Sequence, residues 1–180
     1  MKTKRLAASI RDMAYTALFA AALCVAAPFS LYVGPIPLSF ATLVIYIAAG
    51  ALEWKASALS VVLYVLSGAV GLPVFTGFEG GFQKLVGVTG GFIIGYIPCA
   101  LAAGLIIDFS RKNLRSYVLG MITGTLLLYT CGTAWFMVQT RSSFAVSFAL
   151  CVAPFLAGDA VKIILACVAA PQLRKALEKQ

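Results

Sequence analysis

APFLAGDAVKIILACVAAPQL, residues 153 to 173, decides how many times this chain crosses a membrane. Its uncharged part, 163 to 173, is 11 residues long, and a helix needs roughly 20 apolar residues to cover about 30 Å of hydrocarbon. A span here must therefore begin near Asp159 and take Lys162 inside it. Pro154 and Gly158 interrupt the uncharged run that precedes it, so residues 144 to 152 are predicted to form a short helix or interfacial segment. With the terminal span counted the chain crosses six times; without it, five.

The rest of the chain divides at its charges. Residues 13 to 52 carry none. Forty residues at a rise of about 1.5 Å make two crossings, and Pro28, Gly34, Pro35 and Pro37 mark the break between them. Three further uncharged runs, 56 to 78, 85 to 107 and 116 to 140, hold 23, 23 and 25 residues, each enough for one span. The sequence thus predicts an all-α integral membrane protein, a single transmembrane domain over residues 1 to 180. Its spans fall at approximately 12–31, 36–53, 56–72, 88–108, 116–138 and 157–174. A chain 62% hydrophobic and 11% charged is neither an ordinary soluble domain nor a disordered one.

Six spans put both termini on one side. Lys2, Lys4, Arg5, Arg11, Lys55, Arg111, Lys112, Arg115, Arg174, Lys175 and Lys179 fall on that side, Lys84 and Arg141 on the other, and Lys162 within a span. This bias predicts cytoplasmic termini in a bacterial cell (inner) membrane. It makes the net charge of +8 a topology signal rather than the footprint of a nucleic-acid binder. The first apolar run outlasts the 7 to 15 residues of a signal-peptide core, so it is expected to remain as a span.

Several chemistries are excluded. There is no histidine, which removes the commonest general base and metal ligand, and no enzyme activity, cofactor or metal is expected. The five cysteines include no C-x-x-C and read as small apolar fillers. No G-x-x-x-x-G-K-[ST] occurs, so concentrative transport would draw its energy from another protein.

Three features point to function. Asp159 and Lys162, three apart on one helix face, are ionisable groups inside a span, where a charge costs about 2.5 to 3.5 kcal/mol and usually marks a site. They offer an acceptor and a donor to a polar ligand arriving from outside; the alternative is an internal salt bridge, or a Lys snorkelling to the interface. The segment GAVGLPVFTGFEGGFQKLVGVTGGFIIG, 68 to 95, holds nine of the 16 glycines and joins the third and fourth spans outside the membrane. It reads as a flexible lid or as a reentrant loop lining the cavity, with Phe75, Phe78 and Phe82 to cover an apolar ligand and glycines such as Gly80 and Gly81 allowing close backbone approach. Glu79, Gln83 and Lys84 are its polar groups, Gln83 the best hydrogen-bonding candidate. In the first span, Ala17 and Ala21 form a small-xxx-small pair, for internal packing or for docking a membrane partner.

Taken together, GPIPLSFATL (34–43), GLPVFTGFEGG (71–81), VTGGFIIGY (88–96), GTAW (132–135) and APFLAGDAVK (153–162) resemble the biotin-specific S component of energy-coupling-factor (ECF) vitamin transporters, the BioY family. The resemblance covers most of the chain in the family's order. It implies an S-component-like bundle of six helices that takes up biotin from the extracytoplasmic side, with a transmembrane coupling subunit and ATPase subunits as partners. It also implies that Asp159 and Lys162 contact biotin, Asp159 accepting from ureido N–H groups and Lys162 donating to an oxygen, and that Ala17 and Ala21 dock the coupling subunit. The family often has Gln where this chain has Ala41, and Pro where it has Val88. An S component for another vitamin and a stand-alone proton-coupled carrier are the competing expectations.

Overall fold

The computed structural model describes residues 2–32 and 36–179. Gly34 and Pro35, expected to mark the first break, lie outside the described residues. In chain order the elements are α1 (Lys2–Ala26), β1 (Ser30–Tyr32), β2 (Pro37–Ser39), α2 (Ala41–Ala51), α3 (Trp54–Ala69), α4 (Phe82–Val86), α5 (Gly90–Phe109), α6 (Leu114–Thr140), α7 (Phe144–Cys151) and α8 (Leu156–Glu178). Gly90–Phe109, Leu114–Thr140 and Leu156–Leu177 are long and apolar enough to cross a membrane, while Ala41–Ala51 and Trp54–Ala69 are shorter apolar helices. The terminal span contains Asp159 and Lys162, as the 11-residue remainder at 163 to 173 requires. The segment at 144 to 152 is the separate helix α7.

The second predicted span differs from expectation. It becomes helical only at Ala41, because Pro37 opens a strand and residues 30 to 32 pair antiparallel with 37 to 39, Ser30 opposite Ser39 and Leu31 opposite Leu38. Helix α2 has 11 residues, about 16 Å, roughly half the hydrocarbon thickness. The hairpin precedes it, its two short strands paired with each other. Ser39 makes the turn: its hydroxyl donates to the Ala27 carbonyl (2.9 Å) and accepts from the Ala41 amide (3.0 Å).

Helix α5 lies along α6, α2 against α8, and α3 between α1 and α5. The α5–α6 seam depends on small residues. A Cβ at Gly120 would stand 2.8 Å from the Ala103 carbonyl oxygen, and one at Gly124 would stand 2.8 Å from that of Cys99, so this Gly-xxx-Gly pair lets the backbones meet as lipid-phase packing favours. The small-residue pair singled out in the sequence behaves otherwise: Ala17 and Ala21 lie exposed on α1, on the side that also shows Ile10, Leu18 and Val25. Tyr46, Tyr64, Phe75, Ile107 and Met121 fill the centre, with Cys99 and Cys151 buried among the apolar side chains.

One end of the bundle is fastened by a buried ion pair. Arg174 Nη2 donates to Asp108 Oδ1 at 2.7 Å, and Asp108 Oδ2 accepts the Trp54 amide at 2.7 Å, supplying from α5 the cap that α3 lacks locally. Arg174 Nη1 and the Tyr117 hydroxyl both donate to the Gly50 carbonyl, at 3.4 and 3.3 Å. These bonds tie α2, α3, α5, α6 and α8 at the end opposite the hairpin.

Candidate ligand-binding site

Helix α8 starts at Leu156, which places Asp159 in its first turn, where the N-terminal dipole favours a negative charge. Gly158 gives the hairpin room, since a Cβ there would lie 3.0 Å from Leu38 Cδ2. One turn on, Lys162 points to the same side. Both are nearly inaccessible, at 4% and 6% exposure.

The two charges form a closed cluster. Lys162 Nζ has three acceptors for its three protons: the Ser39 carbonyl at 2.7 Å, Thr42 Oγ1 at 2.9 Å and Asp159 Oδ1 at 3.0 Å. Thr42 in turn donates weakly to Asp159 Oδ1 at 3.5 Å, and the Tyr129 hydroxyl donates to Asp159 Oδ2 at 2.5 Å. β2, α2, α6 and α8 each contribute. A buried ion pair is tolerable only with such extra hydrogen bonds, and removing one partner typically costs about 3 to 5 kcal/mol.

This cluster floors an open pocket between the hairpin, α5, α6 and α8. Ile36, Leu38, Phe92, Ile93, Leu128 and Phe155 form apolar walls, Tyr96 adds an amphipathic one, and Thr76, Lys84 and Thr89 lie along the 70–89 connection. Behind Asp159 and Tyr129 a second, apolar groove runs between α6, α7 and α8, lined by Leu126, Phe148 and Ile163. The Asp159–Tyr129 bond is therefore the partition between the polar floor and that groove.

Asp159 and Lys162 are thus brought together in a cavity; the other sequence candidates are not among its lining residues. Phe75 is fully buried behind the wall, its ring edge-on to Tyr64 (5.7 Å), which in turn meets Tyr96 (6.4 Å). Phe78 is 60% exposed and packs edge-on against Phe29 at 5.4 Å. Gly80 and Gly81 shape the loop. A Cβ at Gly80 would come within 2.1 Å of the Leu72 carbonyl oxygen, and Gly81 holds φ +94°, a conformation that favours glycine. Gln83 is exposed on α4; its neighbour Lys84 lines the cavity. Of the two departures, Ala41 is fully buried outside the lining and Val88 is exposed beside Thr89.

Sequence reasoning missed Ser39, Thr42 and Tyr129, and ranked Lys84 below its neighbour Gln83. Thr42 and Ser39 sit within the quoted GPIPLSFATL, but as single hydroxyl residues in an apolar run they carry no signal until folded. Tyr129 shares a helix face with Thr125 and Thr133, the one local hint of a polar stripe on α6.

The model of the BioY family matches residues 1–179. The biotin transporter BioY of Thermotoga maritima is 32% identical over 169 residues, covering 92% of this chain and 97% of the relative. The probable biotin transporter BioY of Pyrococcus horikoshii is 34% identical over 164 residues, covering 91% and 96%. The crystal structure of the S-component for biotin from an ECF-type ABC transporter has the same fold, with a TM-score of 0.84 at 24% identity over 93% of this chain and 92% of that one.

Proposed function

The chain belongs to the BioY family, and from that premise we propose that it is a membrane subunit that binds biotin and mediates its uptake from the extracytoplasmic side. A separate coupling and ATPase module would energise transport. The observation that carries this reading is the buried Asp159 carboxylate on the cavity floor. Of its roughly four lone-pair sites, three are claimed, by Lys162, Thr42 and Tyr129. The remaining one suits an N–H donor such as the ureido group of biotin. Lys162 reaches a ureido oxygen only by releasing an acceptor, and Thr42 is released at least cost because its hydroxyl keeps Asp159 as a partner. The apolar walls suit the bicyclic ring and the tail methylenes.

An ECF-type arrangement is supported by the exposed Ala17 and Ala21, a small-residue pair on the exposed apolar side of α1 where a coupling subunit can pack closely. Cytoplasmic termini are supported by the Lys/Arg distribution. Membrane lipid would cover the remaining apolar surface.

The test is equilibrium binding of labelled biotin to the purified protein, with thiamin and riboflavin as competitors. Biotin alone should compete, and Asp159→Asn and Lys162→Ala should each weaken binding severely. Unchanged affinity in both variants overturns the site assignment; displacement by another vitamin overturns the ligand. Co-purification of an ATPase module from native membrane, lost in Ala17→Leu, tests the partner reading.

A further inference from the structure

We propose that Lys84 binds the carboxylate end of the ligand and gives up Glu79 to do so, making it the residue that selects a ligand with an anionic tail. The inference rests on the biotin reading above and adds to it the orientation of the ligand.

Among the described lining residues the cations are Lys162 and Lys84. Lys162 is unsuited to a carboxylate: its three protons are held at 2.7 to 3.0 Å and its charge is already balanced by Asp159. A second carboxylate on that floor would face Asp159, a like charge in a poorly solvated space. Lys84 differs on each count. Glu79 is its one ionic partner among the described residues, at 2.5 Å. That pair is open to solvent, the Lys84 side chain 25% and the Glu79 side chain 55% exposed. Glu79 itself does not line the cavity, so the ammonium stands between an external carboxylate and the interior.

Exposed ion pairs of this kind contribute little, so exchanging Glu79 for a ligand carboxylate costs little. The backbone around Lys84 is meanwhile held in place. The Gly81 amide donates to the Gly68 carbonyl at 2.7 Å, Trp135 Nε1 donates to the Gly87 carbonyl at 2.9 Å, and Gln139 donates to the Val86 carbonyl. A side chain can therefore change partner while its helix stays anchored to α3 and α6. The cavity becomes polarised, with acceptors for N–H donors at the floor and a cation at the mouth, matching a heterocycle with a carboxylate-tipped tail.

The experiment compares biotin with biotin amide, which lacks the charge, on the wild type and on Lys84→Met, Lys84→Arg and Glu79→Gln. Wild type and Lys84→Arg should prefer biotin by about tenfold, the scale of one partly screened charge-assisted hydrogen bond. Lys84→Met should lose that preference by binding biotin less tightly while binding the amide as before. Glu79→Gln, which removes the competing anion, should bind biotin at least as tightly as wild type. Undiminished preference in Lys84→Met, or equal affinity of the wild type for both ligands, overturns the assignment alone. Wild-type protein that binds neither overturns the biotin reading with it.

Discussion

Helix α8 carries two buried cations twelve positions apart, Lys162 and Arg174, about 18 Å along its axis. Each is answered by a carboxylate, at 3.0 Å from Asp159 and 2.7 Å from Asp108. Both cations are buried, and Asp108 also faces Lys112 at 4.0 Å. The two pairs differ in what completes them. Asp108 and Arg174 take up main-chain groups, the Trp54 amide and the Gly50 carbonyl, so they act as a cap and a fastening between helices. Asp159 and Lys162 also recruit the side-chain hydroxyls of Thr42 and Tyr129 and border a cavity. Hydroxyls can turn and re-partner; a capped helix end cannot without fraying. An intramembrane ion pair is thus suited to a ligand when its partners can exchange.

The largest effect expected from breaking this contrast is at Asp159. Asp159→Asn should weaken biotin binding by at least about a hundredfold, the scale of an uncompensated buried charge, as read by equilibrium binding on protein that elutes as wild type. Replacing both charges, Asp159→Leu with Lys162→Met, should recover thermal stability relative to Asp159→Asn, because no lone charge remains. Binding should stay abolished. A double variant less stable than the single one would contradict this account of the cluster.

Tyr129→Phe comes next. It removes one donor to Asp159 without altering the ion pair, and a hydrogen bond to a charged group contributes about 1.5 to 3 kcal/mol to stability, so the melting temperature should fall while biotin binding persists at reduced affinity. Smallest in binding, and largest in contrast, is Asp108→Asn. It should lower the melting temperature through the loss of charge opposite Arg174, yet leave biotin affinity within about twofold, since sites this far apart usually act independently. Melting curves with and without saturating biotin separate the two pairs: ligand stabilisation should persist in Asp108→Asn and vanish in Asp159→Asn.

Much of this contrast was legible in the residues. The 11-residue remainder at 163 to 173 forces Asp159 and Lys162 into a helix, and a three-residue spacing puts them on one face. The glycine loop was legible as a feature but not in detail. Phe75 and Phe78, read as ligand walls, instead pack behind the cavity and against Phe29, because which side of an irregular loop faces inward follows from its φ values and anchors, not from any period. Gln83 and Lys84 are adjacent in sequence, and the turn of α4 places Lys84 at the cavity. The hairpin was hidden because Pro37 and its neighbours are as apolar as a span.

Hydropathy, charge placement and helical spacing are local quantities, and by themselves they determined a membrane-spanning helical chain with an acid and a base on one face of its last helix. What surrounds that pair is not local. Lys162 meets Ser39 and Thr42 across 123 and 120 residues of chain, and Arg174 meets Gly50 across 124. Those meetings follow from how α2 and its hairpin pack against α8, so only the tertiary structure distinguished the pair proposed to bind from the pair that fastens.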